Sequence, residues 1–168
     1  MSIQTLDHLN NIIRRSFILL TMVLALLSGC GTTVPLAASD KDAEAKRFEP
    51  PADKAYIYVM REYRYTGWPH AIEVMLNDKD VASLRNENYA LFTVTPGKYT
   101  VAVSWDVGKE LNYDLKSRSV IELNAENGKM YFLKTYWVFA GQLGFSEMNK
   151  NEGKQEIMKL SRVKEKSY

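Results

Sequence analysis

Short runs of β-branched and aromatic residues, each fenced by Gly, Pro, Asn or Asp, set the limits on what this chain can become. Runs of that length, apolar at alternate positions, suit strands of a sheet better than helices. The first is Ala55-Tyr-Ile-Tyr-Val-Met-Arg61, followed by a loop from Glu62 to His70 that contains Gly67 and Pro69. Ala71 to Leu76 and Val81 to Leu84 flank Asn77-Asp78-Lys79-Asp80 and read as a hairpin. Tyr89 to Val94 and Tyr99 to Trp105 are expected to pair across Thr95-Pro96-Gly97-Lys98, where Pro presets φ and Gly permits a positive φ. Ser119 to Asn124 and Met130 to Phe139 form a third expected pair, joined through Asn127-Gly128. Asp106 to Arg118 is a longer polar connection between pairs.

Both alternating faces of Met130 to Phe139 are apolar, which suits a strand covered on two sides. Trp105 and Trp137 lie within strands and are expected in the core. The helical candidate is Asn151 to Leu160, where Ile157 and Leu160 share a side, and Ser161 to Tyr168 is expected to be loose. These features predict an all-β, single β-sandwich-like domain of about six or seven antiparallel strands with one short C-terminal helix.

The beginning of the chain follows other rules. Arg14 and Arg15 precede an uncharged apolar run from Ser16 to Leu27, the layout of a secretory signal. The run is about half the ~20 residues that a stable membrane-spanning helix needs. It ends in Leu27-Ser28-Gly29-Cys30, which resembles the bacterial lipobox. The resemblance implies cleavage before Cys30, diacylglycerol on its thiol and an acyl chain such as palmitate on its freed amine. Several acyl chains, at ~0.8 kcal/mol per buried CH₂, hold a protein to a membrane far more firmly than one. Arg14-Arg15-Ser16-Phe17-Ile18-Leu19 also resembles the twin-arginine export signal, with Ile13 where that signal carries Ser or Thr. Either route delivers Cys30 to the same side.

The expected organisation is a signal peptide over 1–29, a lipidated Cys30 with a flexible tether through 54, and a domain over 55–168. Gly31 to Lys54 lacks an apolar period and closes in Glu49-Pro-Pro-Ala-Asp-Lys54. As flexible chain it would span roughly 25 to 30 Å. Gly31 after the Cys, rather than Asp, resembles the outer-membrane sorting pattern of enteric bacteria. The expected location is the cell envelope, on the periplasmic face of the outer membrane in a host with two membranes.

Little in the domain points to chemistry. Cys30 is the single cysteine, which excludes a disulfide or Cys-based metal centre within the chain. The charge of +2, from 22 basic and 20 acidic residues, argues against a nucleic-acid partner. From Cys30 onward His70 is the single His, with no companion His or second Cys with which to build a triad or a zinc site. Asn77-Asp78-Lys79-Asp80 has too few oxygen donors for a calcium loop and a Lys in its middle. No catalytic residue, metal or cofactor is therefore expected. A carboxylate-based hydrolase would need two acidic side chains facing each other in a cleft.

The candidate binding surface is Arg61, Tyr63, Arg64, Tyr65 and Trp68, which mix planar aromatic faces with guanidinium donors. Such a surface suits another envelope protein, or alternatively a glycan or peptidoglycan. The expectation is of a non-enzymatic module fixed to the membrane by lipid.

Four of the segments above carry a family resemblance. Ala55 to Arg61, Met75-Leu-Asn-Asp-Lys-Asp-Val81, Thr95-Pro-Gly-Lys-Tyr-Thr-Val101 and Glu126-Asn-Gly-Lys-Met-Tyr-Phe-Leu133, with the ending Asn151 to Ile157, resemble the domain of unknown function 2846 family. The likeness spans about residues 52 to 160. It implies a small bacterial lipoprotein with a β-sandwich-like domain, and supplies no activity.

Overall fold

All seven residues of β1 (Ala55–Arg61) are buried, so this strand is covered on both faces and everything else is arranged around it. The computed structural model describes residues 14–15, 34–64, 70–106, 116–138 and 142–166. Cys30 and the Leu27-Ser28-Gly29 preceding it lie outside the described residues. Arg14 and Arg15 are helical and exposed.

β1 is followed by β2 (Ile72–Leu76), β3 (Lys79–Leu84), β4 (Asn88–Val94), β5 (Gly97–Asp106), β6 (Lys116–Ala125), β7 (Met130–Trp137), β8 (Leu143–Met148) and β9 (Ser161–Arg162). Helix α1 (Ser39–Ala45) precedes β1, and α2 (Lys150–Ile157) precedes β9. One sheet has the order β8-β7-β1-β4-β9 and the other β3-β2-β5-β6.

The mostly β class, the two sheets and the short C-terminal helix agree with expectation. The helix is capped by Asn149, whose side chain accepts from the Glu152 N–H. Pairing departs from expectation in three ways. β1 runs parallel to β7, and β4 parallel to β9, so the five-stranded sheet is mixed rather than antiparallel. Of the three expected hairpins only β2–β3 forms, closed by Asn77 and Asp78 at φ 49 and 62, the geometry of a tight two-residue turn. The other two turn segments are corners: β4 pairs with β1 while β5 pairs with β2 and β6, and β6 and β7 lie in different sheets. Gly97 at φ 150 and Gly128 at φ 70 adopt backbone conformations that L residues rarely take.

β8 and β9 raise the strand number above the expected six or seven. β8 pairs along its length with β7, and its Gly144 lies under the Tyr136 ring, where a Cβ would come within 2.2 Å. The tail expected to be loose is ordered through Lys166. Ser161 and Val163 N–H groups donate to Glu87 and Tyr89 carbonyls at 2.9 and 2.8 Å, and Lys166 N–H reaches the Val81 carbonyl at 2.9 Å. The tail thus ties β4 of one sheet to β3 of the other. On the opposite side, the Ser119 hydroxyl of β6 donates to the Leu143 carbonyl of β8. Both sides of the pair of sheets are closed, which protects the strand edges.

The expected tether is the largest correction. From Val34 onward it is part of the folded body: Ala37 N–H donates to Arg162 O at 2.9 Å, Leu36 bridges Val163, and Ala45 is buried. Its polar composition conceals an amphipathic use, since Ala45 and Phe48 cover aromatic residues of the sheet and Asp42 and Lys46 turn partly inward, while Asp40, Lys41, Glu44 and Arg47 are exposed.

Ala55, Ile57, Val59, Ala90, Phe92 and Leu133 face the second sheet and join Ile72, Val74, Val101 and Val103 in an aliphatic core. The other face carries Tyr56, Tyr58, Met60, Tyr89, Leu91 and Phe132, covered by Ala45 from α1 and by Ile157 and Leu160. The result is three layers: sheet, sheet, helices. Helix α2 approaches so closely that a Cβ on Gly153 would lie 2.3 Å from Phe132.

Candidate functional site

Strand polarity collects the connections at one end of the two sheets. Arg61 pairs with Asn88 and Thr135, Glu73 with Ser104, and Asp106 with Lys116. The ends of β1, β3, β5 and β7 and the starts of β2, β4, β6 and β8 therefore share this loop end. The opposite, turn end holds the short links between β2 and β3, β4 and β5, and β6 and β7. Long connections offer surface for recognition, whereas tight turns mainly reverse the chain.

Among the described residues of the expected surface, Arg61 parts from Tyr63 and Arg64. Arg61 is only 2% exposed and continues the row of Ile57 and Val59 that faces the second sheet. Its Nη1 donates to the carbonyls of His70 at 2.6 Å and Leu84 at 3.1 Å. Arg61 is thus a brace between the loop and the end of β3, not part of an exposed surface. Burial, then the nearby Arg85 charge, lowers its pKa to about 10, so it stays charged at neutral pH. Tyr63 is exposed, and Arg64 points to solvent with its Nη2 3.9 Å from Glu62. Tyr65 and Trp68 lie outside the described residues.

The His70 ring lies 5.3 Å from that of Trp105, tilted by 35°, and the Trp105 ring meets Trp137 edge-on at 3.8 Å. Both tryptophans, expected in the core, are half-buried and pack against it at the loop end. The buried Trp105 Nε1 has no hydrogen-bond partner among the described residues. On the helix side of the same end, Tyr136 and Val138 are exposed at 41% and 44%. Beside them Lys134 pairs with Glu62, and Lys159 pairs with Glu156 at 2.7 Å. The hydrogen bond from Lys159 holds the Glu156 carboxyl below its ordinary pKa, helped by Lys134 and Glu62.

Two pairs of carboxylates converge. Glu62 and Glu156 meet within this four-charge network. Glu73 and Asp80 meet on the outer face of the four-stranded sheet, both bound by Lys166 at 2.7 and 2.6 Å. In each pair lysine neutralises the carboxylates, the arrangement of a structural clamp. Asn77-Asp78-Lys79-Asp80 serves the hairpin: Asn77 Oδ1 accepts from the Thr100 N–H at 2.9 Å, and Asp78 pairs with Arg118 at 2.6 Å. Among the described residues no three of His, Cys, Asp and Glu gather as a metal would require.

Sequence reasoning missed a highly connected polar group, Asp42 of α1. Its carboxylate accepts from the Tyr89 hydroxyl at 2.8 Å, the Arg162 N–H at 3.0 Å and Lys46 Nζ at 2.7 Å. Burial pushes its pKa up, but these hydrogen bonds outweigh burial and hold it below the ordinary carboxylate value. The available signal was Asp40 and Asp42 in a first helical turn, with Lys46 four residues after Asp42.

Comparison with other proteins places the chain without supplying a reaction. Residues 51–148 match a family described as Protein of unknown function (DUF2846). A protein of Haemophilus influenzae, itself described as uncharacterized, is 26% identical over 143 residues, covering 83% of this chain and 79% of that one. No solved structure matches.

Proposed function

Because the chain belongs to the DUF2846 family, proteins of unknown function, we propose its role from its own residues. It is a lipid-anchored envelope protein whose β-sandwich is a non-enzymatic binding module, presenting its loop end to another envelope protein. The observation that carries this reading is the gathering of the long connections at one end, beside exposed Tyr63, Arg64, Tyr136 and Val138. Exposed aromatic and Arg side chains are the types that anchor protein interfaces. The anchor rests on Arg14, Arg15, the apolar run and Leu27-Ser28-Gly29-Cys30.

The test is photo-crosslinking in living cells from position 63, with position 127 at the turn end as control. One envelope protein captured from 63 and not from 127, and competed by excess uncrosslinkable chain, is the expected result. Glycan fragments captured from 63 would replace the protein partner with a sugar, and equal capture from both positions would remove the loop end as the surface. For the anchor, Cys30→Ser should abolish acyl labelling and leave the precursor unprocessed; normal processing of that variant would sink the lipid assignment.

A further inference from the structure

The fold begins closer to Cys30 than a tether would allow. Pro35 O accepts from Lys164 N–H at 2.8 Å and Ala37 N–H donates to Arg162 O at 2.9 Å, so the backbone is fixed from here on. Only Gly31, Thr32 and Thr33 separate Cys30 from Val34. Fully extended chain advances at most ~3.6 Å per residue, which puts the Val34 Cα within about 14 Å of the Cys30 Cα. A lipid on Cys30 therefore holds this edge of the body at the height of the headgroups.

The pairing also gives direction. β9 runs parallel to β4 from Asn88 at the loop end toward the turn end. Residues 34–37 run antiparallel to it, through the Leu36–Val163 bridge. Val34 consequently points to the turn end and Ala38 to the loop end. An anchor entering at Val34 pulls the turn-end part of the β9 edge toward the bilayer and leaves the loop end turned away.

The residues at this edge suit that neighbour. Leu36 is 56% exposed beside a groove of about 630 Å³ lined also by Ala37, Lys41, Arg162, Lys164 and Glu165. Lys164 is exposed and has no ion-pair partner among the described residues, and Lys41 is exposed too, paired at 3.1 Å with the exposed Glu44. An apolar side chain flanked by long cationic ones matches the headgroup region, where the alkyl stems lie against acyl chains and the ammonium groups meet lipid phosphates.

We propose that the edge carrying Leu36, Lys41 and Lys164 is a phospholipid-contacting surface that seats the body directly on the membrane. This rests on the lipid-anchored reading above and adds to it an orientation: the loop end faces away from the bilayer.

The experiment places benzoylphenylalanine at position 36, 164 or 63 of the full chain in cells grown with labelled phosphate, and scores phospholipid adducts on the membrane-bound protein. Adducts at 36 and 164 should exceed those at 63 by about tenfold. Equal yields, a larger yield at 63, or none at 36 and 164 while the Cys30 peptide carries acyl mass would overturn the orientation. A Cys30 peptide without acyl mass removes the anchor reading by itself. The same three substitutions are also made in unlipidated chains that begin at Cys30, whose free thiol is coupled to maleimide-headgroup lipid in phosphatidylglycerol vesicles. Adducts favouring 36 and 164 there uphold the contact surface, and adducts favouring 63, or absent, overturn it.

Discussion

The two faces of the five-stranded sheet are built from different materials and closed by different means. One is aliphatic, with Ile57, Val59, Ala90 and Leu133 meeting a second sheet, and a polar group enters its row at the loop end, where Arg61 is met by the His70 and Leu84 carbonyls. The other is aromatic, with Tyr58 stacked on Phe132 at 4.9 Å and Tyr89 beside them, and it is closed by two short helices. Buried tyrosines need acceptors, which the N-terminal segment provides: Tyr58 donates to Ala45 O at 2.7 Å and Tyr89 to Asp42. Burial drives the pKa of both phenols upward, and for Tyr89 the Asp42 carboxylate adds to the effect. Phe48 completes the cover at φ 59, a left-handed backbone for a bulky residue, held by its ring contacts with Tyr58 and Phe132 and by Lys154 5.0 Å over the ring. The aliphatic face rests mainly on the two sheets, with Val163 joining it and Val34 packed against it, whereas the aromatic face takes its cover from residues 45–48 and from Ile157 and Leu160.

Adjacent residues of β7 give the largest test of that difference. Phe132→Ala should cost about 3 to 5 kcal/mol and Leu133→Ala about 2 to 5 kcal/mol in urea unfolding. Only the first should also accelerate tryptic cleavage at Lys46 and Arg47 under native conditions. Equal acceleration by both would mean the faces are not independent. Gly153→Ala pushes α2 off Phe132 and should cost about 1 to 3 kcal/mol, again with faster cleavage of the N-terminal segment. An unchanged melting curve would show that the helix can slide without penalty.

Asp42→Ala leaves the Tyr89 hydroxyl and the Arg162 N–H without their acceptor and should cost about 1 to 3 kcal/mol. Hydrogen exchange should speed up at Arg162 and not at Val59. The smallest effect is that of pH. Since folding lowers the Asp42 pKa, its contribution is complete above about pH 4, the ordinary carboxylate range, and drains away as pH falls through the lower folded value. Protection of residues 34–48 from acid-stable protease should fall in that window in the native chain and show no such step in Asp42→Asn.

The aliphatic face was largely legible in the sequence, because alternation reports which side chains share a face. The first strand was expected and found at Ala55–Arg61. Partners were not legible: Asn77-Asp78 makes a hairpin while Thr95-Pro96-Gly97 and Asn127-Gly128 turn between sheets, since turn residues encode reversal and not destination. The aromatic face was legible on β1, where Tyr56 and Tyr58 alternate with Ile57 and Val59, but not in its cover. Residues 34–48 present a few apolar contacts in a polar background, and β8 is interrupted by Gly144. At the candidate surface, Tyr63 and Arg64 are exposed, whereas Arg61 went inward because strand parity puts it in line with Ile57 and Val59.

The tail that joins β4 to β3 has a consequence for the order of events as the chain is made. Residues 161–166 are synthesised after every strand they lock together, and their partners at Pro35 and Ala37 were made before all of them. A nascent chain can align its aliphatic runs early, but both sheets stay open along that side until the last of these residues is free to move. Contacts of such long sequence separation form slowly. Completion of the architecture therefore waits for Ser161 to Lys166 to be made and freed, and a domain halted shortly before Ser161 would display the unpaired margins of β3 and β4 to its surroundings.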